Sequence, residues 1–287
     1  MNPGLWGAAS ALALGSADFT ARFSARTLGA PSALLGVLVA GAAVLSAWAW
    51  LAAPPLVWTT AGLWLVAANG VATSVMTLLL YHGLARGPVG VVAPIVASYP
   101  VLVVAFWVAL GARPDGVAWL AMAATVVGVV VVARSAERLA EGGGTARGAL
   151  RATVLIALAA SLAHAVLVVA GQAAIPHYGE FQVLWLGRLF GLAAVVALFA
   201  VRRRAPKIPP RWWPVLALQG ALDAGGYLCL FMGSKGEGNE IAAVAASTFG
   251  AVTTLLARVV LKERVGRAQW AGIALVFAGV AVLAGRG

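Results

Sequence analysis

The sequence predicts an all-α membrane protein, with ten transmembrane helices forming two inverted five-helix repeats around a central cavity. Three observations predict it. Of 287 residues, 62% are hydrophobic and 10% are charged, against roughly 45–50% and about 25% in soluble domains. The apolar runs are about 17–23 residues long, enough for helices to cross a hydrocarbon core of about 30 Å. The two halves of the chain also repeat each other at a fixed offset, and each half holds an odd number of runs.

In order, the expected spans are 5–21, 33–50, 61–81, 89–109 and 117–133, then 149–171, 181–201, 213–232, 241–261 and 268–284. None shows the strict alternation of a membrane β-barrel. Loops are short except 134–148, whose Gly142-Gly143-Gly144 run reads as a flexible connector. It lacks the Lys-Ser/Thr ending of a phosphate loop. The expected domains are therefore 1–133, the linker 134–148, and 149–287. In the fourth span, Pro94 and Pro100 predict a kink. The ninth span has no proline and is expected to be straight.

A shift of 150 residues places Asn69 on Gln219, Tyr81 on Phe231, Gly83 on Gly233, Ser98 on Thr248 and Tyr99 on Phe249. After a one-residue gap, Trp119 falls on Trp270 and Gly128 on Gly279. Five spans per repeat force the second repeat upside down, the architecture of secondary transporters that bind substrate near the midplane. One repeat rocking against the other would give alternating access. Charge placement agrees. Arg22, Arg26, Arg86, Arg134, Arg138, Arg147, Arg202, Arg203, Arg204, Lys207, Arg211, Lys262, Arg264 and Arg267 all follow odd-numbered spans, whereas loops after even-numbered spans hold little beyond Arg113 and Lys235. The positive-inside rule makes the basic side cytoplasmic and puts both termini outside.

Two polar stripes interrupt the apolar spans. Asn69, Thr73, Thr77 and Tyr81 recur every four residues, as do Gln219, Asp223 and Tyr227. Such spacing lines one helical stripe, which in a membrane faces protein or a water-filled cavity. The stripes read as facing walls of a cavity, or else as interhelical hydrogen bonds. Asp223 is a protonatable group, an anchor for a substrate amine, or the partner of Arg188; two of these can hold together. Arg188 either braces Asp223 or holds an anionic substrate group. Asp18 and His164 occupy roughly matching places in the first and sixth spans, where they could gate or couple protons. Asp18 also has Arg22 at i+4, and His164 has Ser161 and Gln172 near its face. Tyr99 and Phe249, beside Ser98 and Thr248, line the cavity or pack in the core. Trp185 reads as an interface anchor, Arg258 as a snorkelling cation, and Gly187-Arg-Leu-Phe-Gly191 as a close helix contact.

Other functions lose support. The net charge of +11 gathers at span ends, where lipid headgroups lie, and no basic face with interleaved aromatics suggests nucleic acid. The single cysteine, Cys229, excludes an intrachain disulfide. No His-Glu-x-x-His, Gly-x-Ser-x-Gly or acidic metal cluster is present, so neither enzyme, metal nor cofactor is expected. No basic stretch precedes the first span, so no cleaved signal peptide is expected.

The segment Lys262-Glu-Arg-Val-Gly-Arg-Ala-Gln-Trp-Ala-Gly-Ile-Ala-Leu-Val-Phe-Ala-Gly279 resembles the end of an EamA repeat. Trp6-Gly7 and Leu14-Gly-Ser-Ala-Asp18 resemble its opening helix, and Leu186-Gly-Arg-Leu-Phe190 the start of its second helix. The chain thus resembles ten-helix carriers of the drug/metabolite transporter superfamily over nearly its whole length. Arg113 departs from the acidic residue the first repeat would carry, and the second span has no counterpart of Arg188. The resemblance implies export of small polar metabolites, amino acids including aromatic ones foremost, across a bacterial plasma membrane, driven by a substrate or proton gradient. It also implies cytoplasmic termini, against the charge count. The expected partners are a small molecule and the bilayer, with no oligomer required. A multidrug exporter of lipophilic cations is the alternative within transport. A membrane enzyme or assembly partner is the alternative outside it.

Overall fold

The computed structural model describes residues 2–52, 58–139, 143–233, 239–263 and 265–285. The first repeat holds α1 (Pro3–Leu28), α2 (Ala30–Ala52), α3 (Thr60–Arg86), α4 (Val89–Ala97), α5 (Tyr99–Ala109) and α6 (Gly116–Leu139). The second holds α7 (Gly143–Tyr178), α8 (Glu180–Val201), α9 (Trp213–Gly233), α10 (Asn239–Ala246), α11 (Phe249–Val260) and α12 (Arg267–Ala284). Helices α4 and α5 together make the fourth span, and α10 and α11 the ninth, so ten helical crossings result. Among the described residues, eight spans are long and apolar enough to cross a membrane. Helix α1 is long enough at 26 residues but carries Asp18, Arg22 and Arg26. Trp50, Trp64 and Val201 are among the large apolar side chains left outside, at 86%, 73% and 82% exposure, as a lipid-facing surface requires.

Expected boundaries shift at several ends. Helix α1 continues to Leu28, and α7 to Tyr178. The expected linker is largely helical, because α6 runs through Leu139 and α7 starts at Gly143. Good helix formers such as Ala136, Leu139 and Ala146 extend both ends. Residues 140–142, Lys235 and Arg264 lie outside the described residues.

The repeat is visible in backbone detail. Gly29 ends α1 with φ 79°, and Gly179, which is 150 positions on, stands before α8 with φ 79°. Both are tight reversals in a conformation that favours glycine. The fourth and ninth spans break at equivalent residues. Ser98 has φ −77°, ψ 1°, and Thr248 φ −79°, ψ 2°. Each hydroxyl donates to the carbonyl three residues back, Ile95 or Ala245, at 2.7 Å. Their backbone N–H groups bond the same carbonyls at 3.2 Å, so each helix tightens into an i–3 turn and restarts. The expectation of one kinked and one straight span is therefore corrected: the hydroxyl breaks the ninth span without a proline.

Packing crosses the repeats. Helix α1 lies against α9, α10 and α11, and α2 against α9; in mirror fashion α7 lies against α3, α4 and α5, and α8 against α3. Helix α6 packs on α12. The crossings are glycine-mediated. A Cβ on Gly70 would lie 2.5 Å from the Gly187 carbonyl, and one on Gly220 2.6 Å from the Val37 carbonyl. These sites correspond under the 150-residue shift. Small residues let backbones approach, which is how membrane helices gain packing energy. The Gly187/Gly191 pair is thus a contact within the monomer, on Gly70.

Register fixes the inversion. Gly70 meets Gly187, and Ser74 donates to the Gly191 carbonyl at 2.9 Å, so α3 and α8 run parallel. Gly36 meets Leu216, and Gly41 approaches Gly220, so α2 and α9 are parallel as well. A third span parallel to the other repeat's second span requires opposed repeats. Each repeat makes most of its helix packing against the other.

Candidate functional site

A cavity of about 690 Å³ lies between the repeats. Leu14, Ala17 and Asp18 of α1 and Thr73, Met76, Thr77, Leu80 and Tyr81 of α3 form one side of it. Val96, Tyr99, Pro100, Val103, Val104 and Trp107 add the fourth span. The second repeat supplies His164, Val168, Gln172, Glu180, Arg188, Asp223, Tyr227, Leu230, Ser247, Phe249, Leu283 and Ala284, among others. Residues from both helix breaks meet here, so the restarted spans shape its walls.

Among the described residues, the lining of the cavity reaches one end of the bundle. Gln172 and Glu180 at its mouth are exposed. This is the end of both chain termini. Toward the arginine-rich end the core closes in two layers. In the inner layer, Ser24 donates to Gln219 Oε1 at 2.9 Å and Gln219 Nε2 donates to the Tyr81 hydroxyl at 2.7 Å. Ser24 and Gln219 are both fully buried. In the outer layer, Glu263 accepts from the backbone N–H groups of Val89 and Gly90, each at 3.1 Å. It also pairs with Arg22 at 3.4 Å. Arg22 further donates to the carbonyls of Gly87 at 2.7 Å and Leu84 at 3.3 Å. Gln269 donates to the Gly90 carbonyl at 3.2 Å. A carboxylate on the first N–H groups of α4 satisfies donors the helix cannot use itself and complements its dipole.

Of the expected site residues, Asp18, Thr73, Thr77, Tyr81, Tyr99, His164, Arg188, Asp223, Tyr227 and Phe249 line the cavity. Four do not. Asn69 donates to the Leu167 carbonyl at 2.7 Å, tying α3 to α7. Gln219 belongs to the inner layer of the seal. Ser98 and Thr248 spend their hydroxyls on the helix breaks. Each of these corrections has the same cause: a buried polar group was met by a nearby backbone or side-chain partner. Thr73 and Thr77 donate to the carbonyls of Asn69 and Thr73, both at 2.8 Å, so toward the cavity they offer acceptor lone pairs.

Arg188 and Asp223 form an ion pair across α8 and α9. Arg188 is 6% exposed and Asp223 23%; both line the cavity, and the carboxylate is the more exposed half. The expected Asp18–Arg22 pair does not form, since Arg22 is drawn to Glu263 and the end of α3. Tyr99 stacks on His164 with ring centroids 3.7 Å apart and planes 15° from parallel. His164 Nδ1 is buried without a hydrogen-bond partner. Trp185 is a helix tie rather than an interface anchor, donating to Ser46 Oγ at 3.0 Å. Arg258 is exposed and donates to the Glu263 carbonyl at 3.3 Å.

Sequence reasoning missed Glu180, Trp107 and Met76 as cavity residues. Glu180 follows the turn at Gly179, and the repeat symmetry of that glycine was the available signal. Among the described residues no cluster of His, Cys, Asp and Glu could hold a metal ion.

The comparisons with known proteins fit this geometry. One solved structure, described only as "Crystal structure of protein", matches with a TM-score of 0.63 at 19% identity, covering 98% of this chain and 95% of that one. At that identity the likeness concerns the fold. No curated protein matches. The profile of the EamA-like transporter family matches twice, over residues 2–134 and 151–285, one match for each half of the inverted pair. The chain is a multi-pass membrane protein that belongs to the EamA-like transporter family.

Proposed function

We propose that this chain is a secondary transporter that exports small polar organic metabolites, amino acids foremost, across a bacterial plasma membrane by alternating access. The observation that carries this reading is the cavity itself: built from both repeats, open at one end and sealed at the other by buried polar layers. A carrier caught facing one side has this form. Thr73, Thr77, Tyr81, Tyr99, Asp223, Tyr227 and Phe249 are the proposed substrate contacts, with Arg188 holding Asp223 in place. Nothing in the sequence suggests an ATP site, so a substrate or proton gradient supplies the drive.

Flux of radiolabelled amino acids in proteoliposomes tests the proposal. Asp223→Asn and Tyr227→Ala should each reduce flux at least tenfold in protein that remains monodisperse. Equal flux in both variants would overturn the site assignment. Charge placement makes the arginine-rich end cytoplasmic, and reporter fusions at Gly143 and Pro209 should both report that side. A second reading, export of lipophilic cations, draws on one observation: three carboxylates line the cavity, Asp18, Glu180 and Asp223.

A further inference from the structure

We infer that the cavity recognises its substrate by an ammonium group seated on Asp18, carried on an aromatic or apolar body, and that it does not read a substrate carboxylate. This rests on the carrier reading and narrows its substrate from amino acids to amines without a free carboxylate, toward the cation chemistry of the second reading.

The argument begins with charge. The chain carries a formal charge of +11 and has nine acidic residues, yet three of those nine line one cavity. Among the described residues, Arg188 is the single arginine or lysine in the lining, and Asp223 already occupies it. Asp18 therefore faces the cavity with no ion-pair partner among the described residues. Its helical neighbour Arg22 is committed to Glu263 and two carbonyls. A carboxylate without a cation in a walled cavity is stabilised as the anion when a cation arrives beside it, and a desolvated ammonium needs an opposed charge.

The walls supply the rest. Tyr99, Tyr227, Trp107 and Phe249 line the same cavity and give an apolar body aromatic surface to pack against. His164 gives a second, independent sign of a ligand. It is 7% exposed, lines the same cavity, and holds Nδ1 without a partner. A substrate carboxylate would meet Asp18 as a like charge, and the guanidinium that could hold it is taken.

Binding of tritiated 2-phenylethylamine to the purified full chain in nanodiscs tests this, with three competitors that share its ring. Phenylalanine methyl ester should compete at least tenfold better than phenylalanine, and 3-phenylpropionate should not compete. Asp18→Asn should weaken 2-phenylethylamine binding at least tenfold, and Asp18→Glu should hold it within about threefold. Both variants are first checked for an unchanged melting temperature; if Asp18→Asn misfolds, the competitor series decides alone. Phenylalanine matching its ester, 3-phenylpropionate competing, unchanged binding in Asp18→Asn, or no binding of 2-phenylethylamine overturns the inference. Proteoliposome flux separates the two claims. Amino-acid flux that ignores Asp18 leaves the carrier reading standing while the ammonium seat falls. Absence of flux for all four compounds and for amino acids sinks both.

Discussion

Replacing Glu263 by alanine should unlatch the arginine-rich end. The carboxylate there receives two backbone N–H groups and one guanidinium. Both side chains of the pair are 14% exposed, so water replaces part of what is lost. Three such contacts at about 1 kcal/mol net each give about 3 kcal/mol in favour of the sealed state. That is a shift of roughly a hundredfold between sealed and open populations, if the open state makes none of the contacts. The position 150 residues earlier is Arg113, which is exposed, so that position puts no equivalent carboxylate at the opposite end. The assay is maleimide labelling of Leu84→Cys in a Cys229→Ser background. Leu84 has 0% exposure and becomes reachable only when this end opens. Glu263→Ala should accelerate labelling ten- to a hundredfold, while Arg113→Ala should leave it unchanged. A change below about threefold in Glu263→Ala would refute the assignment of the seal to this carboxylate.

Two further outcomes follow from the packing. Arg188→Met alone leaves Asp223 without its cation and should lower stability by about 3 kcal/mol, whereas Arg188→Met with Asp223→Leu should recover most of it, because an apolar pair removes both desolvation penalties; thermal unfolding in detergent reads the difference. Gly70→Leu and Gly220→Leu should each lower stability by about 1–3 kcal/mol through overpacking, and by similar amounts, since both glycines face a carbonyl of the opposite repeat; a loss confined to one of the two would contradict the equivalence of the crossings.

Much of the architecture was legible because it is written twice. The 150-residue offset carries the glycine turns, the glycine crossings and the hydroxyl breaks, and two copies of a weak signal make a firm one. The polar stripes were legible only in their middle. Four residues advance a helix by about 400°, so each step drifts about 40° around the axis and climbs about 6 Å. Gln219 and Tyr227 therefore face different neighbours at different depths: the first reaches Ser24 and Tyr81 in the seal, the second the cavity. Asn69 drifts likewise toward α7. The choice made by Arg22 was not legible. Asp18 is one turn away in sequence, but Glu263 is brought beside it by the fold, together with the carbonyls at the end of α3. No local pattern encodes a partner 241 positions distant. Trp107 and Glu180 lie near span ends, where composition suggests interface and loop, and only the closure of ten spans around one space assigns them to the cavity.

Helices that pack across the repeats have a consequence for how the molecule is made. Half of the chain, ending near Leu139, would present the glycine of α3 and the amide of Asn69 to lipid, with no α7 or α8 to receive them. The first five spans are thus an incomplete product that must persist in the bilayer until the second five arrive. Two groups then assemble, α1 and α2 with α9, α10 and α11, and α7 and α8 with α3, α4 and α5. A chain severed between α6 and α7 should still yield them, provided that both fragments are inserted in the same membrane.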